Sequence, residues 1–596
     1  MTTYQAPLKD IQFLLNDVFQ IDRFSNLAGF AEAPADVRAA VLTEAAKLSE
    51  ELLHPLNAIG DIEGCVRHED DSVRTPRGFR EAFRQLGDGG WIGLSAPVEY
   101  GGQGLPTTLS NAIGEMFSSA NMSLEMYAGL TRGAVAALLM HGSEQQKHQF
   151  IPKMLAGEWT GTMNLTEPHC GTDLGMMRTK AVKQPDGSYK ISGTKIFISG
   201  GEQDLTENII HLVLARIEGA PAGIKGVSLF VVPKRLINED GTLGEQNGVS
   251  CGSIEHKMGI RGSATCVLNY EGARGWLVGR ENKGMEAMFV MMNEARLGVG
   301  QQALSQSEVA YPNAANYAKE RLQGRALGGT QSPEKPADPI IVHPDVRLTL
   351  LSIRAFNEAA RALILWTSLK QDLARRSYDP GERELAEDHM GLLTPVIKGM
   401  LSEKGFANTV FAQQIFGGHG YIVETGMEQF VRDCRITMLY EGANGIQALD
   451  LVARKLPRDS GRAIQALFNE VSSFIEENAS EPKLAPYTKP LRRSLLDLEQ
   501  ATALLMRRLA KHPNEAIAVS TDFMHLLGLV ALGYMWSRIV KAAHEKIAAG
   551  DQSPHLTTKP LVGLFFVERI LPETSAYLAK IQSGAAVLMT MPAEAF

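Results

Sequence analysis

One carboxylate in residues 437–447, Thr-Met-Leu-Tyr-Glu-Gly-Ala-Asn-Gly-Ile-Gln, has the neighbours expected of a general base. Glu441 precedes Gly442 and closely follows the apolar pair Met438 and Leu439. Desolvation raises the pKa of a carboxylate toward neutrality, where the group can both take up and release a proton. A glycine lets the backbone approach a ligand, and a nearby N–H can polarise a carbonyl. Taken alone, the segment favours a solvated carboxylate in an ordinary turn, and three other segments shift the balance.

These three segments carry residues suited to hold a flat polar ring and a phosphate. Residues 162–175, Thr-Met-Asn-Leu-Thr-Glu-Pro-His-Cys-Gly-Thr-Asp-Leu-Gly, offer small hydroxyl side chains and backbone groups for hydrogen bonds. Residues 193–201, Gly-Thr-Lys-Ile-Phe-Ile-Ser-Gly-Gly, contain Phe197, which can stack on such a ring. Residues 414–420, Gln-Ile-Phe-Gly-Gly-His-Gly, form a glycine turn that a phosphate can approach closely. Each segment alone is a weak signal.

The elements that must position these residues change in character along the chain. Helical periodicity dominates up to about residue 153, and short β-branched runs between turns follow from about 160 to 279. Helices return at about 284–324, 346–377, 384–416 and 444–456. The predicted fold is mainly α with a central β-domain, a small antiparallel barrel or sandwich. The predicted domains are an N-terminal helical domain (1–159), the β-domain (160–282), a helical bundle carrying Glu441 (283–456) and an extra helical domain (457–596).

Composition favours a soluble protein of several domains in a reducing compartment. The chain has 596 residues, 44% of them hydrophobic and 21% charged, with a formal net charge of −8. That charge gives no electrostatic reason to expect nucleic-acid binding. Five cysteines without a CxxC pair indicate neither a disulfide framework nor a zinc site. We see no signal peptide and expect a cytoplasmic protein, in which the apolar run 523–536 is a buried helix rather than a membrane span.

In this order and setting, the four segments resemble the acyl-CoA dehydrogenase family over about residues 52–456. LTEPxxGTD resembles the TEP segment of the family beside the flavin, and GTKIFISGG resembles its KxWITN segment, with Phe197 at the usual tryptophan. QIFGGHG resembles QxxGGxG, and LYEGANGIQ resembles the YEGTxxIQ segment that carries the catalytic base. The sequence departs from the family at His169 and Cys170, which replace a small pair, and at Ala443 and Gly445 after the base.

The resemblance implies a role for each matching residue. Glu441 would remove the α-proton of an acyl-CoA thioester, with FAD as the hydride acceptor and the N–H of Glu441 on the thioester carbonyl. The residues implied to contact FAD are Met163, Leu165, Thr166, Thr172, Phe197 and Ser199, and, toward the FAD of a neighbouring subunit, Arg321, Gln323, Gln414, Gly417 and Gly418. The residues implied to contact the acyl-CoA substrate are Thr172, Asn293, Arg296 and Gly442. No metal is implied.

Residues 457–596 resemble the appendage of an extended subgroup in which a homodimer is expected, because the appendage covers the face where a second dimer would pack. The leading interpretation is α,β-dehydrogenation of a fatty acyl-CoA to trans-2-enoyl-CoA in β-oxidation, with electrons passed to an electron-transfer flavoprotein. Small residues in 127–131 and 298–300 suggest a pocket for medium or long chains. The alternatives are 3-methylmercaptopropionyl-CoA from dimethylsulfoniopropionate breakdown as substrate, an oxidase that uses oxygen, and a catalytically silent flavoprotein of the same fold.

Overall fold

The order of elements confirms the predicted helical N-terminal part, strand-rich middle and helical C-terminal part. The structure, a computed structural model, describes residues 2–596. Its helices are α1 (Leu8–Phe13), α2 (Ala35–Leu48), α3 (His54–Glu63), α4 (Phe79–Asp88), α5 (Thr107–His141), α6 (Glu144–Leu155), α7 (Gly284–Glu320), α8 (Pro344–Arg376), α9 (Pro380–Ile415), α10 (Met427–Arg435), α11 (Asn444–Asp450), α12 (Arg462–Glu477), α13 (Ala485–Lys511), α14 (Pro513–Ile517), α15 (Ser520–Ala548), α16 (Pro554–Thr557), α17 (Lys559–Arg569), α18 (Glu573–Ser583) and α19 (Ala586–Thr590).

All strands of the described residues lie between Val66 and Val278. They are β1 (Val66–Arg67), β2 (Val73–Arg74), β3 (Trp159–Asn164), β4 (Lys180–Lys183), β5 (Tyr189–Ser199), β6 (Asn208–Ile217), β7 (Val227–Pro233), β8 (Arg235–Ile237), β9 (Leu243–Gln246), β10 (Val249–Ile254) and β11 (Thr265–Val278). The short antiparallel pair β1–β2 falls within the predicted N-terminal helical domain. The chain divides into two compact units. The first comprises the N-terminal residues up to Ala46, Thr107–Met116 and Val299–Phe596, and the second comprises Lys47–Pro106 and Phe117–Gly298.

In the second unit, five strands pair in a closed ring in the order β11, β5, β4, β6, β7 and back to β11. Strand β10 extends the ring from β11, and β3 extends it from β6. The expected small barrel is therefore present, but it is mixed and not wholly antiparallel. Strand β6 runs parallel to both β3 and β4, because the β4–β5 hairpin lies between β3 and β6 in the chain and β6 returns in the direction of β3.

Strand β6 is buried on both faces, as a strand between two packed layers must be. Ile210, Leu212 and Leu214 belong to a hydrophobic cluster with residues of α5, α6 and α7, whereas Val213 and Ala215 belong to the interior of the barrel. The alternation follows from the two-residue period of a strand. The start of α7 and the strands thus share one core.

In the first unit, helix α15 packs against α8, α9 and α11 of the bundle and against α13, α17 and α18 of the appendage. By length and composition α15 is apolar enough to cross a membrane, yet 94% of its most apolar window is buried inside the protein. All residues from Phe523 to Trp536 are buried, which confirms the predicted buried helix. The indole N–H of Trp536 donates to the carbonyl of Ala355 in α8 at 2.9 Å.

A buried cluster of charges joins the N-terminal helix, the bundle and the appendage within this unit. The Arg361 guanidinium in α8 donates to Glu115 in α5 at 2.7 Å and to Asp10 in α1 at 2.6 Å. It also lies 2.9 Å from Glu308 in α7. Lys559 in α17 donates to the second oxygen of Asp10. Each of these buried charges is therefore paired with an opposite charge on another helix.

Lys559 extends the cluster through a second acid of α8. Its ammonium also donates to Glu358 at 2.9 Å, and Glu358 accepts from Arg354 at 2.7 Å. Lys559 is 1% exposed, so these contacts replace its hydration entirely. The appendage is therefore held to α1 and α8 by buried ion pairs as well as by apolar packing.

We predict that Arg361→Met will destabilise the first unit by about 3–5 kcal/mol, because buried Glu115 loses its cationic partner and buried Asp10 keeps only Lys559. The measurement is the shift of the urea midpoint of the helical circular-dichroism signal. Arg280→Met is the matched control, since it removes an exposed pair with Glu286 at 3.4 Å and is expected to cost below about 1 kcal/mol. Equal shifts for the two variants would contradict the importance of the buried cluster.

Candidate functional site

Glu441 and Gly442 form a left-handed turn between the 3-10 turn Ile436–Met438 and helix α11. The backbone φ is 57° at Glu441 and 87° at Gly442. A glutamate rarely adopts a positive φ, and the cost of about 1–3 kcal/mol persists only where the surroundings enforce it. Such outliers concentrate at functional sites. Glu441 shares the positive φ with Phe197 and six other non-glycine residues of the described chain, and a hydrogen bond from Gln447 to its carbonyl distinguishes it.

The side chain of Gln447 in α11 holds this turn in place. Its Nε2 donates to the carbonyl oxygens of Glu441 and Gly442, each at 3.1 Å. A Cβ on residue 442 would lie 2.7 Å from that nitrogen, so the position needs glycine for the close approach as well as for its φ. Glu441 itself is half-buried, as the desolvation argument requires.

Residues on either side of the turn connect it to two long helices. The hydroxyl of Tyr440 donates to Oε1 of Gln302 in α7. Asn444, the first residue of α11, is buried, and its Oδ1 accepts from Nζ of Lys398 in α9 at 2.9 Å. Sequence reasoning assigned no role to Tyr440, Asn444 or Lys398, although the first two lie within the motif of the base.

In the second unit, Phe197 lies on a β-bulge that turns it away from the core. Along β5 the buried positions are Tyr189, Ile191 and Lys195, and the phase then shifts to Ile198. On β11, Cys266 pairs with Ile198 but Leu268 pairs with Lys195, so β5 has one extra residue. Phe197 has a φ of 59° and is 59% exposed. The bulge thus presents an aromatic face that regular alternation would have buried.

The segment beside Phe197 is fixed by a buried ion pair. Lys195 is fully buried, and its Nζ donates to Glu167 and to the carbonyl of Leu165, each at 2.9 Å. Glu167 also accepts from the backbone N–H of Arg178 at 2.8 Å and of Thr179 at 3.0 Å. These bonds hold the 165–170 segment against the end of β5, where the carbonyl of Thr166 accepts from the N–H of Ile196 at 2.9 Å.

Burial and pairing act on this ion pair in opposite directions. Burial lowers the pKa of Lys195 to about 8, although Glu167 favours its charged form. Burial also raises the pKa of Glu167, but Lys195 and the hydrogen bonds from Thr179 and Arg178 keep it below its ordinary value. Both partners lie inside the two quoted motifs, so sequence reasoning had the signal for them and gave them no role.

His169 and Cys170, the departures from the family pattern, lie beside the same carboxylate. The ligand atoms of Glu167, His169 and Cys170 are within 4.8 Å of one another. The carboxylate of Glu167 already accepts several hydrogen bonds, and burial raises the pKa of the Cys170 thiol. His169 Nε2 also lies 3.1 Å from the carbonyl of Met176, so this side chain bridges two parts of the loop.

The structure brings most of the predicted flavin-facing residues of the second unit together. Met163 and Leu165 pack on the cluster of β6, and Thr166 and Ser199 are half-buried near the bulge. Thr172 lies in the exposed part of the same loop. On α7, Asn293 is exposed and Arg296 is half-buried, and the start of this helix packs in the same hydrophobic cluster as Met163.

The remaining predicted residues form a second group in the first unit. Arg321 and Gln323 follow the end of α7 and are exposed, as are Gln414, Gly417 and Gly418 around the glycine turn. The ring of Tyr317 stacks on Phe416 with centroids 4.2 Å apart, and its hydroxyl lies 3.4 Å from Nδ1 of His419. This contact places the end of α7 beside the turn. Gly417 has a φ of 56°, and nothing lies within 4 Å of a Cβ built there or at Gly418.

The whole chain is covered by matches to known proteins. Profiles described as acyl-CoA dehydrogenase N-terminal, middle and C-terminal domains match residues 62–158, 162–273 and 282–456, and one described as acetyl-CoA dehydrogenase C-terminal like matches 467–592. The 3-methylmercaptopropionyl-CoA dehydrogenase of Ruegeria pomeroyi is 41% identical over 592 residues, 99% of each chain. The broad-specificity linear acyl-CoA dehydrogenase FadE5 of Mycobacterium tuberculosis is 36% identical over 594 residues, 96% of each.

A solved structure supports the same fold. Caenorhabditis elegans ACDH-11 in complex with C11-CoA superimposes with a TM-score of 0.78 over 96% of this chain and 92% of its own, at 19% identity. The two relatives match almost the full length, including the C-terminal appendage. The chain belongs to the acyl-CoA dehydrogenase family, whose members are FAD-dependent oxidoreductases that act on the CH–CH group of acyl-CoA.

Proposed function

We propose that Glu441 is the base that removes the α-proton of an acyl-CoA thioester. The observation that carries this proposal is the left-handed backbone of Glu441, held by two hydrogen bonds from Gln447 in the position of the family's catalytic motif. A strained turn that is clamped in this way keeps one carboxylate in a fixed place. A solvated surface glutamate needs no such support.

The chemistry requires two groups that act together. The α-proton of a thioester is too weakly acidic for a free carboxylate, so negative charge that develops on the carbonyl oxygen must be stabilised. In the proposed mechanism the backbone N–H of Glu441 donates to that oxygen while its carboxylate takes the proton. Exclusion of water by the bound thioester brings the pKa of the base closer to that of the carbon acid. Because both groups belong to one residue, the geometry of the turn sets their separation.

The surroundings of Phe197 fit the flat ring system of FAD. An exposed phenyl face lies beside half-buried apolar and hydroxyl side chains, on a loop fixed by a buried ion pair. A bound FAD supplies the acceptor for the β-hydrogen as hydride. The residues proposed to line its ring or phosphate are Met163, Leu165, Thr166, Thr172, Phe197 and Ser199, and those proposed to reach the FAD of a neighbouring subunit are Arg321, Gln323, Gln414, Gly417 and Gly418. Thr172, Asn293 and Arg296 are proposed to contact CoA, and Gly442 the thioester.

The proposed substrate is a medium- or long-chain fatty acyl-CoA, which would give trans-2-enoyl-CoA in β-oxidation. The 36% identity to a broad-specificity linear acyl-CoA dehydrogenase supports this choice. 3-Methylmercaptopropionyl-CoA is the second candidate, because the enzyme of that name is 41% identical over 99% of both chains. Both thioesters carry the same α- and β-hydrogens, so one base serves either.

We further propose a cytoplasmic homodimer that passes electrons to an electron-transfer flavoprotein. The burial of α15 supports a soluble protein. Packing of α15 of the appendage on α8, α9 and α11 supports a dimer, since a face that the chain covers itself is closed to another subunit. Release of hydrogen peroxide in air would instead support an oxidase.

We predict that Glu441→Gln keeps FAD and binds acyl-CoA but lowers the turnover number by at least about a hundredfold. Glutamine has nearly the same size and cannot accept the proton. Steady-state turnover and the flavin absorbance of the same sample give the two readings. Glu387→Gln, an exposed carboxylate on α9, is the control and should leave turnover unchanged. Substantial residual turnover in Glu441→Gln would reject Glu441 as the base.

We predict that one of four thioesters bleaches the flavin of the purified holoenzyme under anaerobic conditions. Butyryl-, octanoyl-, palmitoyl- and 3-methylmercaptopropionyl-CoA separate short, medium and long chains from a sulfur-containing one. Fastest bleaching by octanoyl- or palmitoyl-CoA supports the leading substrate, and fastest bleaching by the sulfur thioester supports the second candidate. If none of them bleaches a flavin-loaded sample, the proposed substrates are wrong and the silent flavoprotein becomes the better interpretation.

A further inference from the structure

A histidine of the appendage contacts the part of α9 that anchors the turn of the base. His525 in α15 is 7% exposed, and its Nε2 lies 2.7 Å from Oε2 of Glu403 in α9. The ring stacks on Tyr577 of α18, with centroids 5.4 Å apart and planes 6° from parallel. Its buried Nδ1 has no hydrogen-bond partner among the described residues. An ionised carboxylate can only accept, so Nε2 of His525 is the donor in this contact.

The other oxygen of Glu403 reaches the first residue of α11. Oε1 accepts from Nδ2 of Asn444 at 3.1 Å, and that amide also donates to the carbonyl of Gly399 at 3.0 Å. Asn444 follows Glu441 by three residues and is buried. One carboxylate therefore connects a side chain of the appendage to the residue that begins the helix behind the base.

We propose that His525 is a positioning residue for the catalytic base, acting through Glu403 and Asn444. This proposal rests on the proposed role of Glu441. Asn444 fixes the start of α11, and Gln447 of the same helix clamps the carbonyls of Glu441 and Gly442. A shift of α11 along α9 would move the clamp and relax the strained turn.

The titratable groups around Glu403 agree with this connection. Burial raises the pKa of Glu403, but the hydrogen bond and charge attraction from His525, the hydrogen bond from Asn444 and the charge of Lys404 more than offset it and keep the pKa below its ordinary value. Lys404 is the neighbouring cation on the same helix and pairs with Glu573 at 3.5 Å. Without His525, one oxygen of this half-buried carboxylate would lose its donor, and the side chain would be free to turn toward Lys404 and away from Asn444.

A second histidine–carboxylate pair between α9 and the appendage provides a matched control. His389 in α9 is fully buried, and its Nε2 lies 3.1 Å from Oε2 of Glu470 in α12. Its Nδ1 lies 2.8 Å from the carbonyl of Leu385, one turn back along α9. Loss of this pair disturbs the same helix and the same appendage. It removes no bond to Glu403 or Asn444.

The test compares His525→Leu, His525→Gln and His389→Leu in the full-length holoenzyme. The probe is the thioester of the four named above that bleaches the wild-type flavin fastest. The readings are flavin content, thermal midpoint, the rate of bleaching in a single turnover at saturating thioester, and the concentration for half-maximal rate. We expect His525→Leu to lower the saturated rate by about tenfold to a hundredfold, because small misplacement of a catalytic group has effects of that size. The half-saturating concentration should stay within about twofold, since binding is not altered.

The conservative variant and the control separate positioning from simple destabilisation. His525→Gln retains an N–H donor at a similar reach and should recover most of the rate, whereas His389→Leu should lower the thermal midpoint and leave the rate within about twofold. In a Glu403→Ala background, His525→Leu should have little further effect, because both changes break the same connection. An unchanged rate in His525→Leu, an equal loss in His389→Leu, or additive losses with Glu403→Ala would overturn the proposal.

The outcome for Glu441→Gln keeps this proposal distinct from the proposed function. If Glu441→Gln is inactive and His525→Leu has the wild-type rate, the positioning role fails and the base stands. If Glu441→Gln retains turnover, the base is wrongly assigned and a role for His525 in positioning it is rejected with it.

Discussion

The Arg361 guanidinium is buried, so the rest of the first unit has to supply close acidic partners for its charge. Removal of one charge from water costs several kcal/mol, and only close, well-directed partners offset that cost. Here the partners come from α1, α5 and α7, and Lys559 of α17 shares Asp10 with Arg361. Displacement of any of these helices would take a partner away from a buried charge. The N-terminal segment, the bundle and the appendage therefore form one interdependent structure.

Two residues with proposed roles, one in each unit, have backbone conformations that their side chains disfavour. Phe197 has its positive φ in a bulge, where one extra residue rotates it out of the barrel core. Glu441 has its positive φ in a turn that is clamped by Gln447. The supports differ, since one is a shift of strand register and the other a side-chain amide. In both cases the local strain places a side chain with a proposed role where regular structure would not place it.

Sequence reasoning could recover what local pattern determines. Periodicity predicted the long helices and the buried helix of the appendage, and motif spacing singled out Glu441 and Phe197. It did not recover the parallel pairing of β6 with β3 and β4, which depends on how the chain returns across the sheet. Nor could it find the bulge at Phe197. The alternation of buried and exposed residues expected from the sequence gives no sign of where the strand register shifts.

Contacts between distant residues lie outside such reasoning for a physical reason. Asp10 and Lys559 each stand among polar or charged neighbours in sequence and would be assigned to solvated helix faces. His525 and Glu403 are 122 residues apart, and a histidine in an apolar helix is most simply interpreted as part of the core. Glu167 and Lys195 differ, because both belong to recognisable motifs. Their place in those motifs, beside the residues proposed to face the flavin, is the signal from which a loop-fixing role can be inferred.

The packing at Gly399 explains how a polar contact from the appendage can be transmitted to the proposed base. Met524, the residue before His525, occupies the space of a side chain at Gly399, since a Cβ there would lie 2.3 Å from its sulfur. The carbonyl of Gly399 accepts from Asn444. Close apolar contact thus sets the distance between α15 and α9 at the turn of α9 that anchors α11. The bond from His525 to Glu403 sets the position of α15 along the axis of α9. Because a packed interface of this kind resists small adjustments, a change in α15 is passed to the turn of Glu441 rather than absorbed between the helices.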